Sequence, residues 1–141
     1  MIALDTNVIS EMLAPVPTPT VEAWLGAQTP SAIFTTTITQ AEILYGIGLL
    51  PAGRGRHTLE AAITPIFTED FRGRILPFDS DAAEVYALIA TARRQSGKPI
   101  SQFDAQIAAI ALSRGASLAT RNIADFADTG LMIINPWTAV V

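Results

Sequence analysis

Apolar and polar positions fall along the chain in blocks whose period switches repeatedly between that of a strand and that of a helix. The apolar run 1–4, Met-Ile-Ala-Leu, ends abruptly in Asp5, Thr6 and Asn7, which predicts a buried first strand that delivers polar groups at its carboxyl end. Residues 8–13 predict a short helix stopped by Pro15, Pro17 and Pro19. Val21, Trp24 and Leu25 mark an amphipathic stretch from Thr20 that runs out near 26–30, with Trp24 in the core. The β-branched and aromatic run Ile33-Phe34-Thr35-Thr36 predicts a second strand. Residues 38–50 predict a helix with Ile43, Ile47 and Leu50 on one face, broken by Pro51-Ala52-Gly53. Helical spacing continues over 58–67, with Pro65 as a kink or stop. Residues 75–78 read as a short strand whose Pro77 suits an edge or a terminus. A long helix follows over 81–95, with Val85, Leu88, Ile89 and Ala92 in register and Gly97 as its end signal. An alanine-rich helix over 101–113 turns Ile107, Ile110 and Ala111 inward and closes at Gly115. Residues 117–120 and 132–134 are the last two strands, separated by a polar turn that contains Asn122, Asp125 and Asp128.

Strands separated by helical stretches imply parallel pairing with crossover helices on both faces. The fold class is therefore α/β, a three-layer α/β/α sandwich around a central, mostly parallel sheet. With 141 residues and no internal repeat, low-complexity segment or linker, residues 1–141 are expected to form one domain.

Composition narrows the chemistry. Half of the residues are hydrophobic, yet charged and polar positions interrupt every apolar run before it could cross a bilayer. No basic segment precedes an apolar stretch at the amino terminus, so the expected location is the cytoplasm, away from membranes. The absence of cysteine excludes disulfides, thiolate nucleophiles and cysteine zinc sites. The only histidine, His57, lies in the loop-like stretch 53–57 with no second histidine to share a metal, and reads as a surface residue. A net charge of −4 with a single lysine gives no overall attraction to nucleic acid, so any polyanion site must be local. The arginine pairs Arg54/Arg56, Arg72/Arg74 and Arg93/Arg94 read as solvated groups on helix ends and loops.

A parallel sheet places every strand's carboxyl end, and the first turn of every following helix, along one edge. Four acids qualify: Asp5 after the first strand, Glu42 after the second, Asp104 in the first turn of the alanine-rich helix, and Asp125 after the 117–120 strand. A competing explanation exists for some of them. Thr39-Gln40-Ala41-Glu42, Asp81-Ala82-Ala83-Glu84 and Ser101-Gln102-Phe103-Asp104 all fit a helix capping box. Four acids gathered at one edge would nonetheless raise one another's pKa, a conflict that a hard divalent cation removes. Carboxylates with retained waters suit Mg²⁺ or Mn²⁺, and such an ion serves phosphodiester hydrolysis.

The stretches Leu4-Asp5-Thr6-Asn7, Thr37-Ile38-Thr39-Gln40-Ala41-Glu42, Phe103-Asp104-Ala105-Gln106-Ile107-Ala108, Ala119-Thr120-Arg121-Asn122 with Asp125-Phe126, and Asn135-Pro136-Trp137 resemble the PIN-domain ribonucleases. More narrowly, they resemble the VapC and FitB type of toxin of bacterial type II toxin–antitoxin pairs. The similarity spans essentially the whole chain, in the family's order and spacing. It implies a metal-dependent endoribonuclease using Mg²⁺ or Mn²⁺, acting on an RNA substrate and restrained by a cognate antitoxin. It also implies a homodimer, with the apolar Ile43, Leu44, Ile47, Leu49 and Leu50 too numerous for one buried helical face. By position, Asp5 and Asp104 match the metal-binding aspartates, Glu42 the acid that helps hold metal or activate water, and Asn7 and Thr120 the polar residues that orient the cluster. The fourth acid is divided between the position of Asn122, aspartate in some relatives, and Asp125 three residues on. An RNA contact from Arg54, Arg56, Arg72, Arg74 or Arg121 depends on loop geometry. Two other classes compete: a phosphatase with an aspartyl nucleophile, disfavoured because Asn7 stands where a second aspartate is usual, and a non-catalytic PIN-like regulatory module.

Overall fold

Five short apolar segments bury their backbones by pairing side by side, and every pairing is parallel. The computed structural model describes residues 1–140. Its strands are β1 (Ile2–Leu4), β2 (Ile33–Thr36), β3 (Ile75–Leu76), β4 (Ser117–Ala119) and β5 (Ile133–Ile134), in the order β3-β2-β1-β4-β5. The helices are α1 (Thr6–Met12), α2 (Pro19–Gly26), α3 (Thr37–Gly48), α4 (Arg54–Pro65), α5 (Ser80–Gln95) and α6 (Gln102–Ser113). The sheet is thus wholly parallel, and the three-layer α/β/α expectation holds.

Alternation along the strands divides the core in two. Ile2 pairs with Ile33 and Leu4 with Ala119, and this face packs against Val8, Ile9, Trp24, Ile43, Ile47 and Ile63 from α1 to α4. Ala3 pairs with Leu118 on the opposite face, against Ile89 of α5 and Ile107 and Ala108 of α6. The alanines of α6 are fully buried, and their small volume lets α5 and the sheet approach closely. Gly97 (φ 75°) and Gly115 (φ 68°) end α5 and α6 in the left-handed conformation that a side chain would strain.

Several local expectations are corrected. The stretch 53–57 is not a loop: α4 begins at Arg54, although His57 is exposed as expected. Pro65 ends α4, and the chain continues as a π-turn (Ile66–Asp70) closed by Phe71 N–H to the Ile66 carbonyl at 2.9 Å. The inward face of α5 is Ala82, Ile89 and Arg93, so Leu88 is 72% exposed and Ala92 also faces out. Arg93 is not solvated. Its guanidinium is buried and donates to the carbonyls of Lys98 (2.7 Å), Asp125 (3.1 Å) and Ala127 (2.8 Å), tying α5 to the turn after β4. Arg74 likewise donates to the carbonyls of Pro30, Ile33 and Asp70, pinning the edge strand β3. On α3, Ile43 and Ile47 are buried as expected, but Leu50, expected on their face, lies beyond the helix end at Gly48 and is exposed, as are Leu44 and Leu49. No described helix is long and apolar enough to cross a membrane.

Candidate metal centre at the switch point of the sheet

From β1 the chain moves outward to β2 on one side, whereas from β4 it moves to β5 on the other. The two central strands therefore flank a topological switch point, where parallel sheets open a crevice at their carboxyl ends. A cleft of about 470 Å³ lies there, walled by Asp5, Asn7, Glu42, Asp104 and Asn122, with Thr6, Ser10, Glu11, Arg121 and Trp137 completing it.

Asp5 is the residue on which strand, helix and cleft meet. Its N–H donates to the Ala119 carbonyl at 2.9 Å, prolonging the β1–β4 ladder, and its extended backbone makes it the N-cap of α1. One carboxylate oxygen accepts from Thr6 N–H at 2.8 Å, so the capping explanation is satisfied. The other accepts from the Thr120 hydroxyl at 2.7 Å and from Asn7 Nδ2 at 3.4 Å. Capping and a site role coexist because a carboxylate has two oxygens. Asn7 also donates from Nδ2 to Thr120 Oγ1 at 3.3 Å and accepts from Arg121 N–H at 3.2 Å, while Thr120 Oγ1 accepts from Asn122 N–H at 3.1 Å. The loop after β4 is thereby locked to the start of α1.

Glu42 arrives from the β2-to-α3 junction, and Asp104 from the start of α6, which follows α5 rather than a strand. Thr36 caps α3 by accepting from Thr39 N–H at 3.1 Å, so the box read at Thr39–Glu42 is not a cap. Glu42 lies a turn deeper, where its Oε1 accepts from the Thr6 hydroxyl at 2.9 Å, which also lies 3.2 Å from Thr39 Oγ1. In α6, Ser101 Oγ does accept from Asp104 N–H at 3.2 Å, and the half-buried Asp104 carboxyl faces the cleft. The remaining box is displaced: Asp79, not Asp81, caps α5, accepting from Ala82 N–H at 3.0 Å.

Burial holds the Asp5 carboxyl above the usual carboxylate range, against the pull of Thr120 and Thr6, and the charges of Asp104 and Asp125 add to the rise. Burial likewise raises Glu42, opposed by Thr6 and reinforced by Asp5 and Asp104. It raises Asp104 too, opposed by Ser101 and reinforced by Asp125. None of these acids joins either ion pair found among the described residues, Arg56–Glu60 and Arg114–Asp79. Like charges thus share a cleft in which no protein cation forms an ion pair with them. Among the described residues no group of three or more acids or histidines is placed to hold one metal ion together. Mg²⁺ keeps several waters and needs only one or two carboxylates directly.

Asn122 lies on the cleft wall. Asp125 sits in the following 3₁₀ turn (Ile123–Phe126), exposed, with its charge reaching Asp5 and Asp104. Sequence reasoning missed Ser10 and Glu11. The signal was present, because they follow Asn7 at helical spacing and so share its face of α1.

Residues 2–130 match the family model described as the PIN domain. Over 141 residues, covering 97% of this chain and 98% of the relative, the sequence is 42% identical to the VapC ribonuclease Y4jK of Sinorhizobium fredii. Over 137 residues, covering 97% of this chain and 99% of the relative, it is 39% identical to the toxin FitB of Neisseria gonorrhoeae. Among solved structures, a chain of FitAB bound to an IR36 DNA fragment superposes with a TM-score of 0.92 at 38% identity, covering 100% of this chain and 99% of that one. Fold, acid-walled switch-point cleft and near-full-length similarity agree: the chain belongs to the PIN-domain family, among the VapC and FitB toxins of toxin–antitoxin systems.

Proposed function

We propose that this chain is a Mg²⁺- or Mn²⁺-dependent endoribonuclease, the toxin of a type II pair, with Asp5, Glu42, Asp104 and Asp125 as its acidic centre. The observation that carries the reading is the convergence of three desolvated carboxyls, all with raised pKa and none in an ion pair, on one cleft at the sheet's switch point. A relative named as a ribonuclease and another named as a toxin support it.

The donor set fits a hard cation: oxygen ligands only, with no cysteine or histidine on the cleft wall. Asp5 and Asp104 would hold the ion. When bound, it supplies Lewis-acid polarisation of the phosphodiester and activates water for attack. Thr120 and Asn7 donate to Asp5 and fix its carboxylate plane, so Asp5 would be oriented in advance to hold the ion. Glu42, steered by the Thr6 hydroxyl and with its pKa raised, can accept a proton from the attacking water. Asp125 would add negative charge from the rim.

Two partners follow from the same reading. An antitoxin segment that places an arginine over the uncompensated acids would silence the site, because a guanidinium pairs bidentately with carboxylates. The chain pairs with a second copy through the exposed Leu44 and Tyr45 of α3 and Leu49 just past its end, which are 48%, 69% and 66% exposed. Incubation of antitoxin-free protein with labelled single-stranded RNA tests the activity: cleavage with Mg²⁺, none with EDTA and none with Asp104→Asn is expected. Cleavage that survives EDTA, or no cleavage of any RNA tried, would overturn the reading and in the second case leave a binding module.

A further inference from the structure

The acid wall creates a difficulty for its own substrate. RNA is a polyanion, and Asp5, Glu42, Asp104 and Glu11 all face the cleft it must enter. Arg121 is the one cationic side chain on that wall. It takes part in neither ion pair found among the described residues, although carboxylates line the same cleft. Its guanidinium carbon instead lies 5.1 Å from the centroid of the Trp137 ring. Stacking on an indole holds the planar group flat and leaves its in-plane N–H donors available, the arrangement suited to bidentate phosphate contact. Glu11 is held below the usual range chiefly by the hydroxyl and backbone of Thr18, with a smaller pull from the Arg121 charge, and it forms no ion pair with the guanidinium.

Both halves of the stack are anchored. Arg121 N–H donates to Asn7 Oδ1, and Asn7 in turn donates to Asp5, so the arginine is one side chain removed from a proposed metal ligand. Trp137 N–H donates to Asn135 Oδ1 at 3.0 Å, and the ring packs against the core cluster that contains Leu4, Val8 and Ile9. We infer that Arg121 binds a phosphate of single-stranded RNA beside the one being cleaved, and that Trp137 is the positioning residue that keeps the guanidinium off the acids. This rests on the ribonuclease reading and adds to it the group that attracts the substrate.

The test measures binding of labelled single-stranded RNA by fluorescence anisotropy, with Ca²⁺ in place of Mg²⁺, across a series of KCl concentrations. Loss of one charge-assisted contact in Arg121→Gln should weaken binding about tenfold. It should also reduce the slope of log affinity against log salt by about 0.7, the share of one phosphate contact on a single strand. Arg121→Lys should retain the slope and lose part of the affinity. Trp137→Leu should weaken binding in the same direction, and Trp137→Phe, which keeps an aromatic face, should restore most of it. Arg54→Gln, on the exposed start of α4, serves as the control and should match wild type. Wild-type affinity and slope in Arg121→Gln, with wild type cleaving RNA under Mg²⁺, would overturn this inference alone. Failure of wild type both to bind and to cleave would overturn the ribonuclease reading with it.

Discussion

Replacing Thr120 by valine removes a single oxygen from a fully buried, hydrogen-bonded part of the site at nearly constant volume. The Thr120 side chain is fully buried, and its hydroxyl donates at 2.7 Å to Asp5, which is itself only 4% exposed. A hydrogen bond to an ionised carboxylate is worth about 1.5–3 kcal/mol. Two donors also lose their acceptor, but Asn7 Nδ2 keeps Asp5 and the exposed Asn122 can turn to water. The expected cost at neutral pH is therefore about 2–3 kcal/mol. For a chain of this length that lowers Tm by roughly 7–10 °C, from an unfolding entropy of about 2.1 cal/mol/K per residue. The sign of the pH dependence follows from the folded pKa of Asp5. It is already raised above 3.8 by burial, and Thr120 is the largest influence that lowers it, so the variant raises it further. In the window above 3.8 the folded state then binds its proton more readily than the unfolded chain, and stability falls as pH rises through the folded pKa. The deficit of Thr120→Val should accordingly be largest at neutral pH and shrink on acidification toward the ~1 kcal/mol of a neutral hydrogen bond. Denaturant unfolding in EDTA between acidic and neutral pH measures this, with Thr120→Ser as the variant that keeps the hydroxyl. Equal stability of Thr120→Val and wild type, or a deficit that does not change with pH, would refute the reasoning.

The other expectations concern the rim and the assembly. Asp125→Asn should lower RNA cleavage by an amount that added Mn²⁺ partly restores, whereas Asn122→Ala should leave the metal dependence unchanged; the reverse pattern would move the fourth position to Asn122. Arg93→Leu should cost about 2–4 kcal/mol in chemical denaturation, because three carbonyls lose a charged donor at once, and an unchanged midpoint would refute the tie it is assigned. Light scattering should report a dimer for wild type and a monomer for Leu44→Asp/Leu49→Asp; a wild-type monomer would contradict pairing through α3.

The layered α/β architecture was legible because the hydrophobic period changes cleanly from strand to helix, and Asp5 and Glu42 were legible because parallel topology brings the starts of α1 and α3 to one edge; Asp104 reaches the same edge although α6 follows α5 and no strand. What escaped depended on partners distant in sequence. Arg93 reads as one of a solvated pair, yet three carbonyls from two other segments compensate its charge and allow it an inward position on α5. That choice rotates the helix and turns Leu88 outward. The Gly-Arg-Gly-Arg start of α4 has poor helical propensity, which packing of Leu59 and Ile63 against the core overrides. The cap of α3 was misread because Thr36, Thr37 and Thr39 are all competent caps, and only the end of β2 at Thr36 decides among them.

The central claim is that the carboxylates at the carboxyl ends of β1, β2 and β4 and the start of α6 form a divalent-cation site for phosphodiester hydrolysis. Titration of antitoxin-free protein with Mn²⁺ by calorimetry tests it directly, on wild type, Asp5→Asn, Glu42→Gln and Asp104→Asn at neutral pH. The account predicts saturable binding, weakened about tenfold or more by Asp5→Asn and Asp104→Asn and less by Glu42→Gln. Absence of binding to wild type, or the same affinity in wild type and Asp104→Asn, would contradict it.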